Sequence, residues 1–365
     1  MIYLDNGATS FHKPPAVRAA VLSAMKHCAN PGRGGYPAAM AAAEIVYHCR
    51  ETAGKLFDCQ PEQVCFTSNC THGLNIAIHS LVQPGDRVVI SGFEHNAVTR
   101  PLHALGAQLE VAGRRLFDQA DALQQWENAL RKGAKAAVCT HVSNVFGYIL
   151  PIEAISDLCH RYHVPLIVDA AQSAGTLPVK LKSWDAAFVA MPGHKGLLGP
   201  QGTGLLLCNQ EAMPILYGGT GSNSEDQSMP EFLPDRLEAG TLNVPGIAGL
   251  DVGMCYVSRE GVDRIFKREH TQLQNCIQGL KKLGYTVFFG PNQASTVSIL
   301  PKEDHEDLAE KLARRGVAVR SGLHCAPLAH ESAGTLPTGT VRVSFGQDAS
   351  AVQTGRFLQI MQDIL

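Results

Sequence analysis

The feature that most restricts the fold of this chain is a rhythm running through its first two thirds. Short apolar runs at Gln63–Thr67, Arg87–Ser91, Ala107–Val111, Ala136–Thr140, Pro165–Asp169, Ala186–Ala190 and Gly204–Cys208 read as strands. Between them, Gly73–Leu81, Ala97–Leu105, Gln119–Arg131 and Ile152–Tyr162 repeat apolar residues at helical spacing. Apolar runs that do not alternate with polar residues suit strands covered on both faces, and strand–helix alternation puts helices on both sides of a sheet. The expectation is an α/β fold with a mostly parallel seven-stranded sheet flanked by helices.

The rhythm stops at the Gly-, Pro- and Ser-rich stretch Tyr217–Pro234. Beyond it, Val244–Leu283 reads as one long helix, and Thr286–Phe289, Ser295–Leu300, Val317–Arg320 and Thr340–Phe345 read as short strands. A chain of 365 residues exceeds what one hydrophobic core ordinarily organises. The expected division is a large domain at 16–243 and a smaller α+β domain made of 244–365, with 1–15 packing back onto it.

Composition removes several classes of function. A net charge of -2 gives no electrostatic reason to expect nucleic acid or an anionic membrane as partner. No apolar run approaches the roughly 18 residues of a membrane span. The 11 cysteines are scattered without a Cys-x-x-Cys pair, which argues against a disulfide framework or a structural metal site and for a reducing compartment. The start Met1-Ile-Tyr-Leu-Asp-Asn has no basic region followed by an apolar one, so the expectation is a soluble, cytoplasmic protein.

Reactive residue types fall just beyond five of the strands. Asp169 ends one run and Gln172 follows it; Asn144 comes after Thr140; His194 and Lys195 come after Ala190; His95 comes after Ser91; Cys70, Thr71 and His72 open a helix after Thr67. Open α/β sheets bind ligands beyond the carboxyl ends of their strands. Pyridoxal 5'-phosphate would use this set. Asp169 would keep the pyridine nitrogen protonated so that the ring withdraws electrons, and His95 would stack on its face. Asn144 and Gln172 would donate toward the phenolic oxygen, and the helix start at Cys70–His72 would offer free N–H groups to the phosphate. The amine of Lys195 would form the Schiff base.

Each residue also has a plainer use. Asp169 or Thr71 can cap a helix, and His95 can be a satisfied, half-buried histidine. A lysine between His194 and Gly196 after a buried strand is harder to explain by solvation, and the plain uses would have to coincide at five strand ends. Neither Gly199-Pro-Gln-Gly-Thr-Gly204 nor Gly218-Gly-Thr-Gly221 matches the dinucleotide-binding fingerprint, and the chain has no P-loop.

The ordered set of motifs resembles the cysteine desulfurase / selenocysteine lyase family, of the class V aminotransferase group of fold type I pyridoxal-phosphate enzymes. The stretches concerned are Leu4-Asp-Asn-Gly-Ala-Thr9, Thr67-Ser-Asn-Cys-Thr-His-Gly-Leu-Asn75, Glu94-His95, Val142-Ser-Asn-Val145, Val168-Asp-Ala-Ala-Gln-Ser173, Gly193-His-Lys195 and Arg320-Ser-Gly-Leu-His-Cys325. The resemblance implies that Lys195 is the Schiff-base lysine, Asp169 the pyridinium partner, His95 the stacking histidine and Gln172 the phenolate ligand. It implies that Asn144 faces cofactor and substrate, that Cys70, Thr71 and His194 sit at the phosphate, and that Arg342 clamps the substrate carboxylate. A bidentate task of that kind suits arginine better than lysine. Thr241, in Arg236-Leu-Glu-Ala-Gly-Thr241, matches a threonine offered to the neighbouring subunit's phosphate in a homodimer. One departure stands out. Where the family usually has Ser or Thr two residues before the motif histidine, this chain has Pro192, which donates nothing.

Cys325 would decide the reaction. The resemblance makes it the nucleophile that takes sulfur from L-cysteine as a persulfide and leaves L-alanine, with Arg320 and His324 favouring the thiolate by their charge. The other readings are a small buried hydrophobe or a weak metal site with His324 and His330. The resemblance further implies a sulfur-acceptor protein. Two rival activities remain at this point: selenocysteine lyase acting on L-selenocysteine, and a class V aminotransferase or epimerase that makes no use of Cys325.

Overall fold

The computed structural model describes all residues of the chain except 33, 223, 303 and 365. Seven strands build the larger sheet: β2 (Val64–Thr67), β3 (Arg87–Ser91), β4 (Gln108–Ala112), β5 (Ala136–Thr140), β6 (Leu166–Asp169), β7 (Phe188–Pro192) and β8 (Gly204–Cys208), β1 (Ile2–Tyr3) lying apart from them. Their order is β2-β8-β7-β6-β5-β3-β4, and β8 alone runs antiparallel to its neighbours. Every residue of β5, β6 and β7 is buried, as expected for strands covered on both faces.

The strand residues divide between two cores. Val89, Cys139 and Val168 face the helices Pro37–Phe57, Gln119–Arg131 and Ile152–Arg161. Val88, Val138 and Ile167 face the helices Cys70–Leu81 and Asn96–Ala104. This is the period-two partition of a strand applied twice. Three of the helices start at capped positions: Asn69 accepts from the amide of His72 at 2.9 Å, His95 from Ala97 at 3.0 Å and Asp118 from Asp121 at 2.9 Å.

A second, antiparallel sheet comprises β9 (Thr286–Phe288), β10 (Thr296–Leu300), β12 (Arg320–Gly322) and β13 (Thr340–Ser344), in the order β12-β13-β10-β9. One face of it carries Val297, Ile299, Val341 and Val343 into a core shared with the helices Val262–Lys282, His305–Arg314 and Ala351–Ile364. The chain start joins this unit: β1 pairs in parallel with β11 (Val317–Ala318), and Leu4 lies in the same core.

Two expectations change. The long helix expected at 244–283 is two helices, Val244–Glu260 and Val262–Lys282, because Gly261 between them adopts φ 81. The expected strand Val317–Arg320 is split as well. Val317 and Ala318 pair with β1, whereas Arg320 to Gly322 pair with β13, so one run serves two sheets. Helix Val244–Glu260, which a division at 243 assigns to the smaller unit, packs Val244, Ile247, Leu250 and Met254 on the core of the larger sheet.

Candidate active site

The strand ends of the larger sheet converge as their sequence order requires. Cys70, Thr71, His95, Asn144, Asp169, Gln172, His194 and Lys195 line one cavity of about 110 Å³, together with Pro192. Asp169, at the end of β6, accepts at Oδ1 from the amide of Ala171 at 2.8 Å and from the Cys70 thiol at 3.5 Å. Burial, reinforced by the Asp169 charge, pushes the Cys70 thiol up. Cys70 therefore stays protonated and serves as a donor.

His95 accepts at Nδ1 from the amide of Ala97, which leaves its proton on Nε2; burial lowers its pKa and keeps it neutral. Lys195 has its pKa lowered by burial and then by the Arg342 charge, with Asp169 acting the other way. Such an amine is more readily available as a nucleophile and base near neutral pH. Beneath the rim lies Glu94, wholly buried. One of its oxygens accepts from the Ser91 hydroxyl and from the amide of Thr140, the other has no partner, and burial raises its pKa to about 8.

The N-terminal segment closes one side of the site. The carbonyl of His194 accepts from the amide and hydroxyl of Ser10 at 3.0 and 2.9 Å, while His194 Nδ1 lies 3.0 Å from the Thr9 hydroxyl. Gln172 donates to the carbonyl of Gly7 at 3.0 Å, leaving its second amide hydrogen for a ligand. A smaller cavity of about 40 Å³ lies against Lys195 on this side, with Asn6, Ser10, Ser344 and Glu269 in its wall. Glu269 is buried, with Oε2 unpartnered and its pKa raised to about 8 by burial.

Arg342 comes from the middle of β13 and is 1% exposed. It donates to Asp5 Oδ1 at 2.6 Å and to the carbonyl of Asn144 at 3.1 Å, and its Nε is unpartnered. The side-chain amide of Asn144 donates to the carbonyl of His324 at 2.8 Å. Cys325 follows, exposed, its Sγ 3.6 Å from Nη2 of Arg320 and its carbonyl accepting from the amide of Asn96 at 2.8 Å. The loop bearing the thiol is thus hydrogen-bonded both to the residue after His95 and to Asn144.

One electrostatic expectation fails. His324 does not add positive charge beside the thiol, because burial and the Arg342 charge push its pKa down to about 2. Arg320 is the cation at that position. Thr241 is exposed and lines a different cavity, with Arg50 and Glu238, so this chain does not bring it to the residues around Lys195. The sequence alone points to no role for Asp5, Ser10, Glu94, Ser298 or Thr340. The last two had a detectable signal: Thr296-Val-Ser-Ile-Leu300 and Thr340-Val-Arg-Val-Ser344 alternate polar and apolar residues in strands that are almost wholly buried.

The residues suit pyridoxal phosphate by their chemistry. A carboxylate at a strand end, a neutral imidazole, an amine of lowered pKa and the first-turn amides of Cys70 and Thr71, which have no intrahelical acceptor, share one cavity. Fold and site together define a fold type I transferase of the pyridoxal-phosphate class. The chain belongs to the class-V aminotransferase family, whose profile matches residues 2–356. It is similar to a probable cysteine desulfurase of Pyrococcus abyssi, 31% identical over 396 residues that cover 100% of this chain and 94% of that protein. A probable cysteine desulfurase of Methanothermobacter thermautotrophicus is 31% identical over 358 residues, covering 92% of this chain and 88% of the relative. Among solved structures, the apo form of a cysteine desulfurase from Thermococcus onnurineus NA1 superposes with a TM-score of 0.92 at 32% identity, covering 100% of this chain and 94% of that one.

Proposed function

We propose that this protein is a cysteine desulfurase that binds pyridoxal 5'-phosphate and moves sulfur from L-cysteine to Cys325, releasing L-alanine. The observation that carries the reading is the placement of Cys325: an exposed thiol beside the Arg320 guanidinium, on a loop tied to Asn96 and Asn144 at the cavity rim. The names of the relatives at 31% identity support it.

Lys195 would hold the cofactor, Asp169 its pyridine nitrogen, His95 its ring face and Gln172 its phenolic oxygen. The amides of Cys70 and Thr71, with His194, would meet the phosphate, and Thr241 would reach the neighbouring subunit's phosphate in a homodimer. Pro192 withholds the hydroxyl that the family usually places there. When bound, the cofactor supplies an electron-withdrawing ring joined to the substrate amine, which weakens the bonds at Cα and lets charge leave Cβ.

The chain's own residues do the rest. Arg342 and Asn144 hold the substrate carboxylate. Lys195, its pKa lowered by burial, takes the proton from Cα, and neutral His95 moves protons at the substrate through Nε2. The Cys325 thiolate, with Arg320 as its counter-charge, attacks the substrate sulfur. A sulfur–sulfur bond forms as the carbon–sulfur bond breaks, and the electron pair stays with the three-carbon fragment, which takes up protons to become alanine. The persulfide on the exposed Cys325 is then open to a sulfur-acceptor protein.

The test is an assay of the purified holoenzyme with cysteine and selenocysteine side by side, following alanine and the mass of the Cys325 peptide. Cysteine should yield alanine and a gain of one sulfur on that peptide, and Cys325→Ala should bind cofactor but form no alanine from cysteine. Alanine from selenocysteine alone would make the protein a selenocysteine lyase. Undiminished turnover of cysteine by Cys325→Ala would refute the nucleophile.

A further inference from the structure

The strand Thr340–Ser344 turns Val341 and Val343 toward the small-sheet core and sets Thr340, Arg342 and Ser344 on the opposite face, all of them buried. A buried polar face needs a partner for each of its groups. Arg342 finds Asp5 and Asn144, and Ser344 Oγ accepts from the amide of Gly7 at 2.8 Å. Thr340 runs elsewhere. Its hydroxyl donates to Ser298 Oγ at 3.1 Å, and Ser298 donates at 2.7 Å to the carbonyl of Val145, the residue after Asn144.

The direction of this chain is fixed by proton counting. A carbonyl only accepts, and each hydroxyl has one hydrogen to give. Ser298 gives its hydrogen to Val145, and Thr340 gives its own to Ser298. Thr340 Oγ1 can therefore only accept from His324 Nε2, 3.2 Å away. His324 carries its proton on Nε2, while Nδ1 is buried and unpartnered. The loop closes through the backbone, since the His324 carbonyl accepts from the Asn144 amide. His324 is held to two adjacent residues of the rim, by its ring through Thr340 and Ser298 and by its carbonyl directly.

The turn being held is a costly one. His324 and Cys325 have φ of 50 and 57, in the left-handed region where a β-carbon crowds the following carbonyl oxygen. Such conformations persist where the surroundings over-determine them. Here the turn faces the His324 ring inward and leaves the next residue's thiol exposed.

We propose that His324, Thr340 and Ser298 are positioning residues for the sulfur-accepting thiol. Their directed hydrogen-bond chain keeps Cys325 in register with Asn144 and Arg342, the two side chains that grip the substrate carboxylate, so that thiol and substrate sulfur meet at a set distance. The proposal rests on Cys325 being the sulfur acceptor. The three residues act through the loop backbone and are not assigned any contact with substrate.

Thr340→Val keeps the volume and branching of the position and removes the hydroxyl; Thr340→Ser returns it. In the Thr340→Val holoenzyme, persulfide formation on Cys325 should slow by about 10- to 100-fold, the effect of a misplacement on the order of 1 Å, with KM for cysteine changed by less than about twofold. The cofactor's visible absorption should be unchanged, and Thr340→Ser should recover most of the rate. Persulfide formation at the parent rate in Thr340→Val overturns the proposal, and so does a loss that Thr340→Ser fails to restore. If Thr340→Val does not fold, Ser298→Ala breaks the same chain one link further on and is judged by the same rate and KM. Failure of the underlying reading looks different: Cys325→Ala would then keep turning over cysteine, whatever the Thr340 variants do.

Discussion

The two sheets of this protein deliver chemistry in different ways. The larger sheet is covered by helices on both faces, so its reactive residues, Asp169, His95, Asn144 and Lys195, stand at or beyond the strand ends. The smaller sheet has a helix-packed core on one face only. The residues we propose it contributes to the site come from within the strands, on the other face: Arg342 lies opposite Arg320 on one neighbour and Ser298 on the other, a row of polar side chains across three strands. A doubly covered sheet can act only at its ends, whereas a singly covered one can act across a face. Side chains at ends sit on loops that accept substitution, but those in the row share a pleat, where a change at one is felt by its neighbours.

The largest expected effect belongs to a strand end. Lys195→Ala should remove the visible absorption of lysine-linked cofactor and lower desulfuration on the order of 10³-fold or more. An absorption band that survives in the purified variant would take the cofactor away from this rim. Next comes the row on the smaller sheet. Arg342→Lys cannot serve Asp5, the Asn144 carbonyl and a carboxylate in one planar fork, so KM for cysteine should rise about 10- to 100-fold, or about 1.4–2.8 kcal/mol. A KM that stays put would mean that the row does not hold the substrate.

The third effect separates the regions by pH. Glu269 titrates at about 8 in the folded chain against an ordinary 4.5, so the native state holds its proton longer. Its contribution is fully present below pH 4.5 and is lost as pH rises through 8, at up to about 1.4 kcal/mol per unit. His324 has the opposite sign: shifted from 6.5 down to about 2, it weakens the fold as pH falls below 6.5. Denaturant melts of Glu269→Gln should show a flatter decline between pH 5.5 and 8 than the parent, about as stable at the acid end and more stable at the alkaline end; parallel curves would remove Glu269 from the account. The smallest effect lies far from both regions. Asp118→Ala should cost about 1 kcal/mol of stability through its lost helix cap and leave kcat unchanged, a control for the site variants.

Much of the larger sheet was legible in the sequence. β3, β5, β8 and the helix Gln119–Arg131 fall at the residues expected, because apolar runs and helical spacing are local signals. The rim was legible for the same reason, each reactive residue following its own strand. The helix Pro37–Phe57 was missed because its buried stripe, Ala39, Ala42, Val46, Cys49, Ala53 and Phe57, is half alanine and gives little apolar contrast. Asp5, Ser298 and Thr340 were missed because their roles depend on which strands lie side by side, and that is not a local property. The neighbours of His324 in sequence do not reveal that it is buried, so the sequence suggests a cation where the structure holds a neutral ring.

The tether between Gly7 and Ser344 joins residues 337 positions apart. During synthesis the opening segment leaves the ribosome well before Ser344 and Arg342, which anchor it. The segment from β2 to β8 can form its sheet in the meantime, because those strands pair with one another. Asn6, Gly7 and Ser10 cannot complete the wall beside Lys195 until β13 has emerged and docked. A nascent chain stalled before β13 would hold a formed larger sheet with an open rim, so the wall beside Lys195 closes only after β13 has emerged.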